Sequence, residues 1–410
     1  MFASRTNWAL STNPISLRLE EIRRSGVKII DLTESNPTRC GFQYLKKEKW
    51  LSYLADPKNM IYEPSPAGSP EARQAVSDYY ARKGISVNPN RIFLIASTSE
   101  AYSFLFRLIA NAGERILAPR PSYPLFDFLA ALNDIELDPY PLLYDSSWRI
   151  DVEKLKPLAG PKTKAMILVH PNNPTGSCLK HSELKKINAL AKQHELVLIS
   201  DEVFSDYLFA ADHKFVSSLA GNSPVLTFTL GGISKALGLP QMKLAWIVVS
   251  GPENLAKGAT ERLEIILDTY LSVNTPVQRS LPAWFSFQNE IQDEIRSRLK
   301  ENRQCLTEHL EHHTCEDGNT KFPRACRNHR MPTCESLHSE GGWVAVLKIP
   351  RIRTEEEWVL EFLSKDRVYV HPGYFFDFEE EAYLVLSLLP PPEIFEEGIH
   401  RILSRIEKTV

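Results

Sequence analysis

The chain has 410 residues, of which 43% are hydrophobic and 24% charged, and its formal net charge is −3. This composition is typical of a globular protein, and the small charge gives no global basic field that would attract nucleic acid or an anionic membrane. No apolar run approaches the roughly 18–20 residues of a membrane-spanning helix, and the first ten residues lack the apolar stretch of a signal peptide. Six cysteines do not suggest a disulfide framework, so the sequence predicts a cytoplasmic protein long enough for two domains.

Residues 1–45 are predicted to form an N-terminal arm that belongs in part to a smaller domain. Apolar residues recur among charged ones at 16–24, which predicts a helix. A short strand is predicted at 27–32, and a polar turn follows at 31–38, where Pro37 favours an extended backbone.

Between residues 46 and 290, short apolar runs alternate with helical patterns. Seven strands are predicted at 91–95, 115–118, 135–140, 164–169, 196–200, 225–230 and 244–249, with helices at 99–110, 123–132, 182–194 and 253–272. Continuous apolar strands separated by helices indicate an α/β fold with a mainly parallel seven-stranded sheet that is covered by helices. Because ligands bind such sheets outside the carboxyl ends of the strands, we expect the turns at 97–99, 170–176, 201 and 235 to meet at one crevice.

Residues 291–410 are predicted to form the smaller α+β domain together with the N-terminal arm. A charged helix is predicted at 291–310, strands at 343–349, 368–370 and 384–388, and a closing amphipathic helix at 392–406.

A segment rich in cysteine and histidine, residues 311–340, interrupts this region. Its candidate zinc ligands, with one cysteine just before it, are Cys305, Cys315, Cys326, Cys334, His312, His313, His329 and His338. Structural zinc sites usually contain a C-x-x-C pair, and none occurs here. We therefore interpret the segment as a polar insertion and predict no metal site.

One lysine, Lys235, stands in a glycine-rich turn between two apolar strands, just after Gly231, Gly232 and Ser234. A lysine held beside a ligand in such a turn is partly desolvated, which lowers its pKa and makes its amine a useful nucleophile. Taken alone, a lysine in such a turn is more often a solvated loop residue.

Two other strand ends supply groups that would act with this lysine. Asp201 follows one strand, and the turn 97–99 precedes a helix. Pyridoxal 5′-phosphate requires a lysine that forms a Schiff base, a carboxylate against its pyridine nitrogen and donors for its phosphate, which a helix N-terminus provides. The set therefore suggests this cofactor, although Asp201 alone could equally cap a helix.

The chain resembles the class I and II aminotransferases of fold type I over nearly its whole length. The matching motifs are Asn172-Asn-Pro-Thr-Gly176, Asp201-Glu-Val-Phe204, Ser234-Lys235, Tyr62 followed by Gly68, Pro121-Ser-Tyr123, Gly342-Trp343 and His371-Pro-Gly373. The resemblance implies a pyridoxal-phosphate-dependent transaminase that moves an amino group between an amino acid (or amine) and a 2-oxo acid. It also implies a homodimer whose active sites lie at the subunit interface.

The resemblance further assigns roles around the cofactor ring. Lys235 would form the Schiff base and then move the proton of the reaction. Asp201 would pair with the pyridine nitrogen, Asn173 would hydrogen-bond the ring's O3′, and Tyr123 would stack on the ring. Asn36 would approach the substrate.

The resemblance also assigns the residues that bind the cofactor's phosphate. Thr98, Ser99 and Ser234 would bind the phosphate, helped by Lys243 and by the partner subunit's Tyr62.

Four positions depart from the family pattern. Phe204 stands where a tyrosine hydroxyl usually reaches O3′, Gly232 where a phosphate-binding serine is common, and Lys243 where an arginine is usual. Val385 stands where an arginine normally clamps the substrate's α-carboxylate. The sequence leaves open whether another arginine binds that carboxylate, or whether the substrate is an amine or an amino acid bound in an unusual way.

Two alternatives to a transaminase remain. One is a pyridoxal-phosphate-dependent lyase that performs β-elimination on the same fold. The other is a homologue that binds the cofactor without catalysis.

Overall fold

The computed structural model describes residues 1–46, 48–315 and 334–410, without the side chains of residues 312–315. None of the helices in these ranges is long and apolar enough to cross a membrane.

The described ranges contain short strands and helices throughout. The strands are β1 (Ile30–Asp31), β2 (Ile92–Ile95), β3 (Arg115–Arg120), β4 (Glu136–Tyr144), β5 (Trp148–Ile150), β6 (Thr163–Val169), β7 (Val197–Asp201), β8 (Thr227–Gly232), β9 (Ala245–Ser250), β10 (Glu335–Ser336), β11 (Val344–Lys348), β12 (Val368–Tyr369), β13 (His371–Pro372) and β14 (Tyr383–Ser387). The α-helices are α1 (Pro14–Arg24), α2 (Lys49–Ser52), α3 (Pro70–Arg82), α4 (Thr98–Ile109), α5 (Phe126–Leu132), α6 (Val152–Leu155), α7 (His181–His194), α8 (Ile233–Ala236), α9 (Glu253–Tyr270), α10 (Thr275–Phe285), α11 (Gln288–Cys315), α12 (Glu355–Glu361) and α13 (Pro392–Glu407).

The large sheet has the strand order β2-β9-β8-β7-β6-β3-β4-β5. Neighbouring strands from β8 to β4 pair in parallel, whereas β9 runs antiparallel to both of its neighbours and β5 antiparallel to β4. The predicted α/β class and mainly parallel sheet are confirmed. The sheet has one strand more than predicted, because β5 is a three-residue hairpin partner of β4 and too short to give an alternating pattern.

The parallel strands bring their carboxyl ends to one edge of the sheet. Strands β2, β3, β6, β7 and β8 all end there, since the two antiparallel pairings on either side of β9 restore the direction of β2. The turns expected to converge therefore leave the sheet on the same side.

Helix α7 begins one residue earlier than predicted, at His181, so Ser182 lies inside the helix. Its N-terminal cap is Lys180. The Glu183 carboxylate accepts hydrogen bonds from the backbone N–H of Lys180 at 2.8 Å and of Ile150 at 2.9 Å. A carboxylate that satisfies two backbone donors, including one on the neighbouring strand β5, outcompetes a single serine hydroxyl at this helix end.

The C-terminal part contains a second sheet of order β10-β11-β14-β13, and β1 of the N-terminal arm pairs in parallel with β12. One face of β11 and β14 packs in an apolar core with α13. On the other face, Val346 joins a core with Trp148 and Leu168 of the large sheet. This second face of the small sheet therefore lies against the large one.

The cysteines whose surroundings the structure describes, Cys40, Cys178, Cys305 and Cys334, are free thiols. Within the described ranges, no three His, Cys, Asp or Glu side chains come together to hold a metal ion. Most of the candidate zinc ligands, at 312–333, lie outside the described side chains.

Candidate functional site

Two glycines bring the lysine turn close to the neighbouring strand β9. A Cβ on Gly231 would lie 2.6 Å from the Trp246 ring, and a Cβ on Gly232 would lie 3.1 Å from the Cβ of Ala245. A serine at 232 would therefore crowd β9. This packing gives a physical reason for glycine at this position.

The Lys235 amine lies beside two aromatic rings. Its Nζ is 4.6 Å from the centroid of the Trp343 ring and 5.3 Å from that of Phe204. The Tyr207 hydroxyl donates a 2.7 Å hydrogen bond to the Lys235 carbonyl and so fixes the backbone of the turn. Burial lowers the pKa of Lys235 from 10.5 to about 8, and the negative field of Asp201 opposes this effect only in part. A substantial fraction of the amine is therefore neutral near pH 8 and able to act as a nucleophile or base.

Asp201, the last residue of β7, is only 8% exposed. The Tyr102 hydroxyl donates to its Oδ2 at 2.9 Å, and the Val203 N–H donates to its Oδ1 at 3.2 Å. Burial raises the pKa of Asp201, while these hydrogen bonds and the Lys235 charge lower it. A buried carboxylate of this kind is stabilised by a bound cationic group.

The turn after β6 contains two asparagines, one whose side chain forms hydrogen bonds and one with a side-chain oxygen that has no partner. Asn172 donates to the Pro121 carbonyl at 3.1 Å and to the Thr175 hydroxyl at 3.0 Å. The Oδ1 of Asn173 is enclosed without a hydrogen-bond partner in the described structure. Buried polar atoms are normally paired, so the Asn173 amide is available to a ligand.

Gly176 fixes the position of a segment from the small sheet over this turn. It has a φ of +68°, and a Cβ there would lie 2.5 Å from the Gly341 carbonyl oxygen. Any side chain would therefore push away the segment that leads into Trp343.

Thr98 and Ser99 lie at the N-terminus of α4, where Ser97 caps the helix by accepting from the Glu100 N–H. Tyr123 shares a side-chain hydrogen bond with Ser99, which moderates the rise that burial causes in the Tyr123 pKa. The N–H groups at the start of a twelve-residue helix are suited to binding an anion such as a phosphate.

Ser234 is half-buried beside Lys235. For three other predicted residues, the structure describes only their own surroundings. Tyr62 is 78% exposed, and Lys243 is exposed with a left-handed φ of 50°. The Oδ1 of Asn36 accepts from the N–H of Thr38 at 3.1 Å and from its hydroxyl at 2.8 Å, which closes its own turn. The roles assigned to these three residues stay predictions.

Three residues near the site have no role that the sequence alone assigns. Trp343 belongs to a motif that matches the family, but the resemblance gives it no function. Tyr102 and Tyr207 are aromatic residues in apolar stretches, which are usually core. The spacing of Tyr102, four residues after Thr98, places both on one side of α4, but the partner Asp201 lies 99 residues away.

The residues present fit pyridoxal 5′-phosphate. A desolvated lysine and a buried carboxylate without a full counter-charge suit its aldehyde carbon and ring nitrogen, and the unpaired Asn173 Oδ1 can accept a hydrogen bond from its ring hydroxyl. The N-terminus of α4 provides donors for its phosphate.

Comparison with known proteins shows which family the chain matches. The chain matches the family described as aminotransferase class I and II over residues 28–401. It is 28% identical to the glutamate-pyruvate aminotransferase AlaA of Haemophilus influenzae, covering 94% of this chain and 92% of that protein. It is 35% identical to the S-alkyl-thiohydroximate lyase SUR1 of Arabidopsis thaliana, but over only 57% of this chain and 51% of that protein.

The fold also has a close counterpart among solved structures. An alanine aminotransferase from Pyrococcus furiosus superposes with a TM-score of 0.85 at 24% identity and covers the whole of both chains. At this identity the likeness supports the fold alone.

Proposed function

Since the chain belongs to the aminotransferase class I and II family, we propose that Lys235, Asp201 and Asn173 hold its pyridoxal 5′-phosphate. Members of this family depend on that cofactor, and the enzyme is a transaminase acting on amino acids and 2-oxo acids. The observation that carries the assignment is the enclosure of the Lys235 amine by Trp343 and Phe204, in the field of Asp201.

When bound, pyridoxal phosphate supplies the electron sink that lets a proton leave the carbon bearing the amino group. Lys235 Nζ is the base that takes and returns this proton, because its pKa of about 8 leaves enough neutral amine at physiological pH. Asp201 holds a proton on the pyridine nitrogen through its negative charge. Tyr102 and the Val203 N–H keep that carboxylate ionised and oriented.

The phosphate is proposed to bind at the start of α4 through Thr98, Ser99 and Ser234, with Tyr123 packed over the ring. In a homodimer, Lys243 and the partner subunit's Tyr62 complete the phosphate-binding site. The exposed cluster Met60, Ile61 and Tyr62, with exposures of 89%, 55% and 78%, supports burial of that segment against a second copy.

Three further assignments remain proposals. Residues 46–290 form the large cofactor-binding domain, residues 291–410 the small domain, and residues 1–45 an arm that joins the small domain. The enzyme works in the cytoplasm. Asn36 approaches the substrate after its turn opens.

The comparisons favour neither of the two alternatives, a β-eliminating lyase and a non-catalytic homologue. Matches to aminotransferases extend over nearly the whole chain, whereas the match to the lyase covers about half of it.

The test is product analysis with a panel of amino donors. The purified enzyme should show a visible absorption band that each accepted donor alters, and sustained turnover should require a 2-oxo acid. Pyruvate and ammonia released without any acceptor would instead identify a lyase. A band that no donor alters would indicate a binding protein.

A further inference from the structure

A four-residue segment, residues 340–343, lies against two segments that follow strands of the large sheet, and we call it the strap. Its first two N–H groups donate to the Gly176 carbonyl, in the turn after β6, each at 3.0 Å. Its third N–H donates to the Tyr207 carbonyl at 3.0 Å, in the segment after β7. The strap therefore connects the turn that contains the asparagines with the tyrosine whose hydroxyl binds the Lys235 carbonyl.

The middle of the strap consists of two glycines, Gly341 and Gly342. A Cβ on Gly341 would lie 2.8 Å from the Tyr207 carbonyl oxygen, and Gly342 has a φ of +98°. Both the close approach and the positive φ favour glycine. The side chains of the strap are therefore those of its two ends, Glu340 and Trp343.

Trp343, at one end, places its ring against the Lys235 amine. The ring centroid lies 4.6 Å from Nζ, and the residue is 1% exposed. The rings of Phe204 and Tyr207 pack against it edge to face, at centroid distances of 5.6 and 5.1 Å. The tryptophan ring thus keeps water from one side of the amine, and its position controls how far that side is desolvated.

Glu340, at the other end, anchors the strap through its carboxylate. Its Oε2 accepts from the Cys178 N–H at 2.6 Å and from Lys180 Nζ at 2.9 Å. The same lysine amine donates to the Trp148 carbonyl at 2.8 Å. The side chains of Glu340 and Lys180 are only 9% and 18% exposed. Hydrogen bonds of this charge-assisted kind are about twice as strong as neutral ones.

We propose that Glu340 is a positioning residue of the transaminase, whose carboxylate holds the strap in place and so keeps the Trp343 ring against the Lys235 amine. The inference rests on the function assigned above to the Lys235 site. Without the carboxylate, the Cys178 N–H and Lys180 Nζ lose an acceptor in a largely buried place, which favours separation of the strap from the turn. The neutral backbone hydrogen bonds that remain hold it less firmly.

Loss of this anchor should change the proton affinity of the lysine. Water that reaches the amine when the ring withdraws raises the Lys235 pKa from about 8 toward its ordinary value. The lost attraction between the Trp343 ring and the ammonium group opposes this rise, but the large fall in the pKa shows that burial dominates. The charge of Asp201 also acts on the amine and is unchanged. We therefore expect a net rise of about one pH unit.

The test measures the Lys235 amine in cofactor-free protein. Reductive methylation with formaldehyde and cyanoborohydride at a series of pH values, followed by peptide mass spectrometry, gives the pH midpoint at which this amine becomes reactive. Glu340→Leu should raise the midpoint by about one pH unit. Glu340→Gln should leave it close to that of the wild type, because the amide oxygen can still accept both hydrogen bonds.

The holoenzyme gives a second measurement of the same effect. With an accepted amino donor, the acidic limb of the kcat profile should move to higher pH in Glu340→Leu by a similar amount, since Lys235 must be neutral to take the proton. Glu340→Gln should again resemble the wild type.

Glu183→Leu is the matched control. The Glu183 carboxylate also accepts two hydrogen bonds, but from donors outside the strap, the Lys180 and Ile150 N–H groups. Its loss should lower the Tm without moving the Lys235 midpoint.

A double variant tests whether the tryptophan ring transmits the effect. Trp343→Leu alone should raise the Lys235 midpoint, because it removes the ring from the amine. Adding Glu340→Leu to it should then change the midpoint little, since the two residues act through one contact.

A milder variant keeps the test decisive if circular dichroism shows that Glu340→Leu does not fold. Glu340→Asp draws the carboxylate back by about 1.5 Å, so it cannot reach both donors, and it should raise the midpoint by a smaller amount. Hydrogen exchange of the strap peptide should be faster in either of these variants than in Glu340→Gln.

An unchanged Lys235 midpoint in Glu340→Leu, or in Glu340→Asp where the former does not fold, would overturn the inference. An equal rise in Glu183→Leu, or a full additional rise in the double variant, would overturn it as well. All of these outcomes leave the cofactor assignment intact. Borohydride reduction of the holoenzyme that places the pyridoxyl group on a lysine other than Lys235 would instead overturn the proposed function.

Discussion

Replacing Lys235 by methionine tests the low-dielectric environment of its amine without relying on activity. Methionine keeps most of the unbranched side chain and can pack between Trp343 and Phe204, but it carries no charge. In the protein freed of cofactor, the substitution should therefore remove a burial penalty and stabilise the fold.

The magnitude follows from the pKa of the lysine. A fall from 10.5 to about 8 means that the unfolded chain binds the proton far more tightly than the folded one. At about 1.4 kcal/mol for each tenfold change in proton affinity, the penalty is about 3 kcal/mol at pH 7. It is fully present below pH 8 and disappears as the pH rises from 8 to 10.5, so at pH 10 about 1 kcal/mol remains.

The assay is urea unfolding of cofactor-free wild type and Lys235→Met at pH 7 and at pH 10. We expect the variant to be more stable by up to about 3 kcal/mol at pH 7, and the advantage to shrink to about 1 kcal/mol at pH 10. Other groups that titrate in this range affect both proteins equally. Lys192→Met, which removes an exposed lysine of α7, is the control and should change stability by less than about 0.5 kcal/mol at either pH. A difference between wild type and Lys235→Met that does not change with pH would refute the desolvated lysine.

Two further substitutions test the surroundings of the site. Tyr102→Phe removes the 2.9 Å hydrogen bond to Asp201 and should weaken cofactor binding by about ten- to a hundredfold, since a hydrogen bond to a charged group contributes about 1.5–3 kcal/mol. Tyr140→Phe, which removes a buried 2.7 Å bond to the Ile167 carbonyl, should lower stability but not cofactor affinity; equal losses of affinity would contradict the role of Tyr102. Phe204→Tyr places a hydroxyl near the amine and should lower the pH at which the visible band titrates, and an unchanged titration curve would argue against that placement.

The architecture of the large sheet could be predicted because its strands are continuous apolar runs. Residues 164–169 and 244–249, for example, have no alternation that would fit a half-exposed strand, so burial on both faces is the consistent interpretation. The three-residue β5 gave no such pattern, and it is recognisable only from its pairing with β4.

The residues of the site also divide into those that the sequence reveals and those that only the fold reveals. Lys235 and Asp201 stand out because a glycine turn and a strand end are visible in the sequence. Tyr102, Tyr207 and Trp343 are aromatic residues in apolar surroundings, and such residues are usually core. Their hydroxyls or rings reach the site across 28 to 108 residues of sequence, and only the packed fold brings them together.

Val385 shows what the sequence and the fold each contribute. The sequence identifies it as a departure from the family, since no arginine lies between Arg367 and Arg401. The fold adds that Val385 is buried and pairs in register with Val346 and His371.

The central claim is that Lys235 carries the cofactor, and peptide mapping after borohydride reduction tests it most directly. Reduction of the purified, coloured enzyme should fix the pyridoxyl group permanently to one peptide, and mass spectrometry should place it on Lys235. Lys235→Ala should yield no labelled peptide under the same treatment. A pyridoxyl group found on another lysine of the wild-type enzyme, or on any lysine of Lys235→Ala to the same extent as in wild type, would contradict the account.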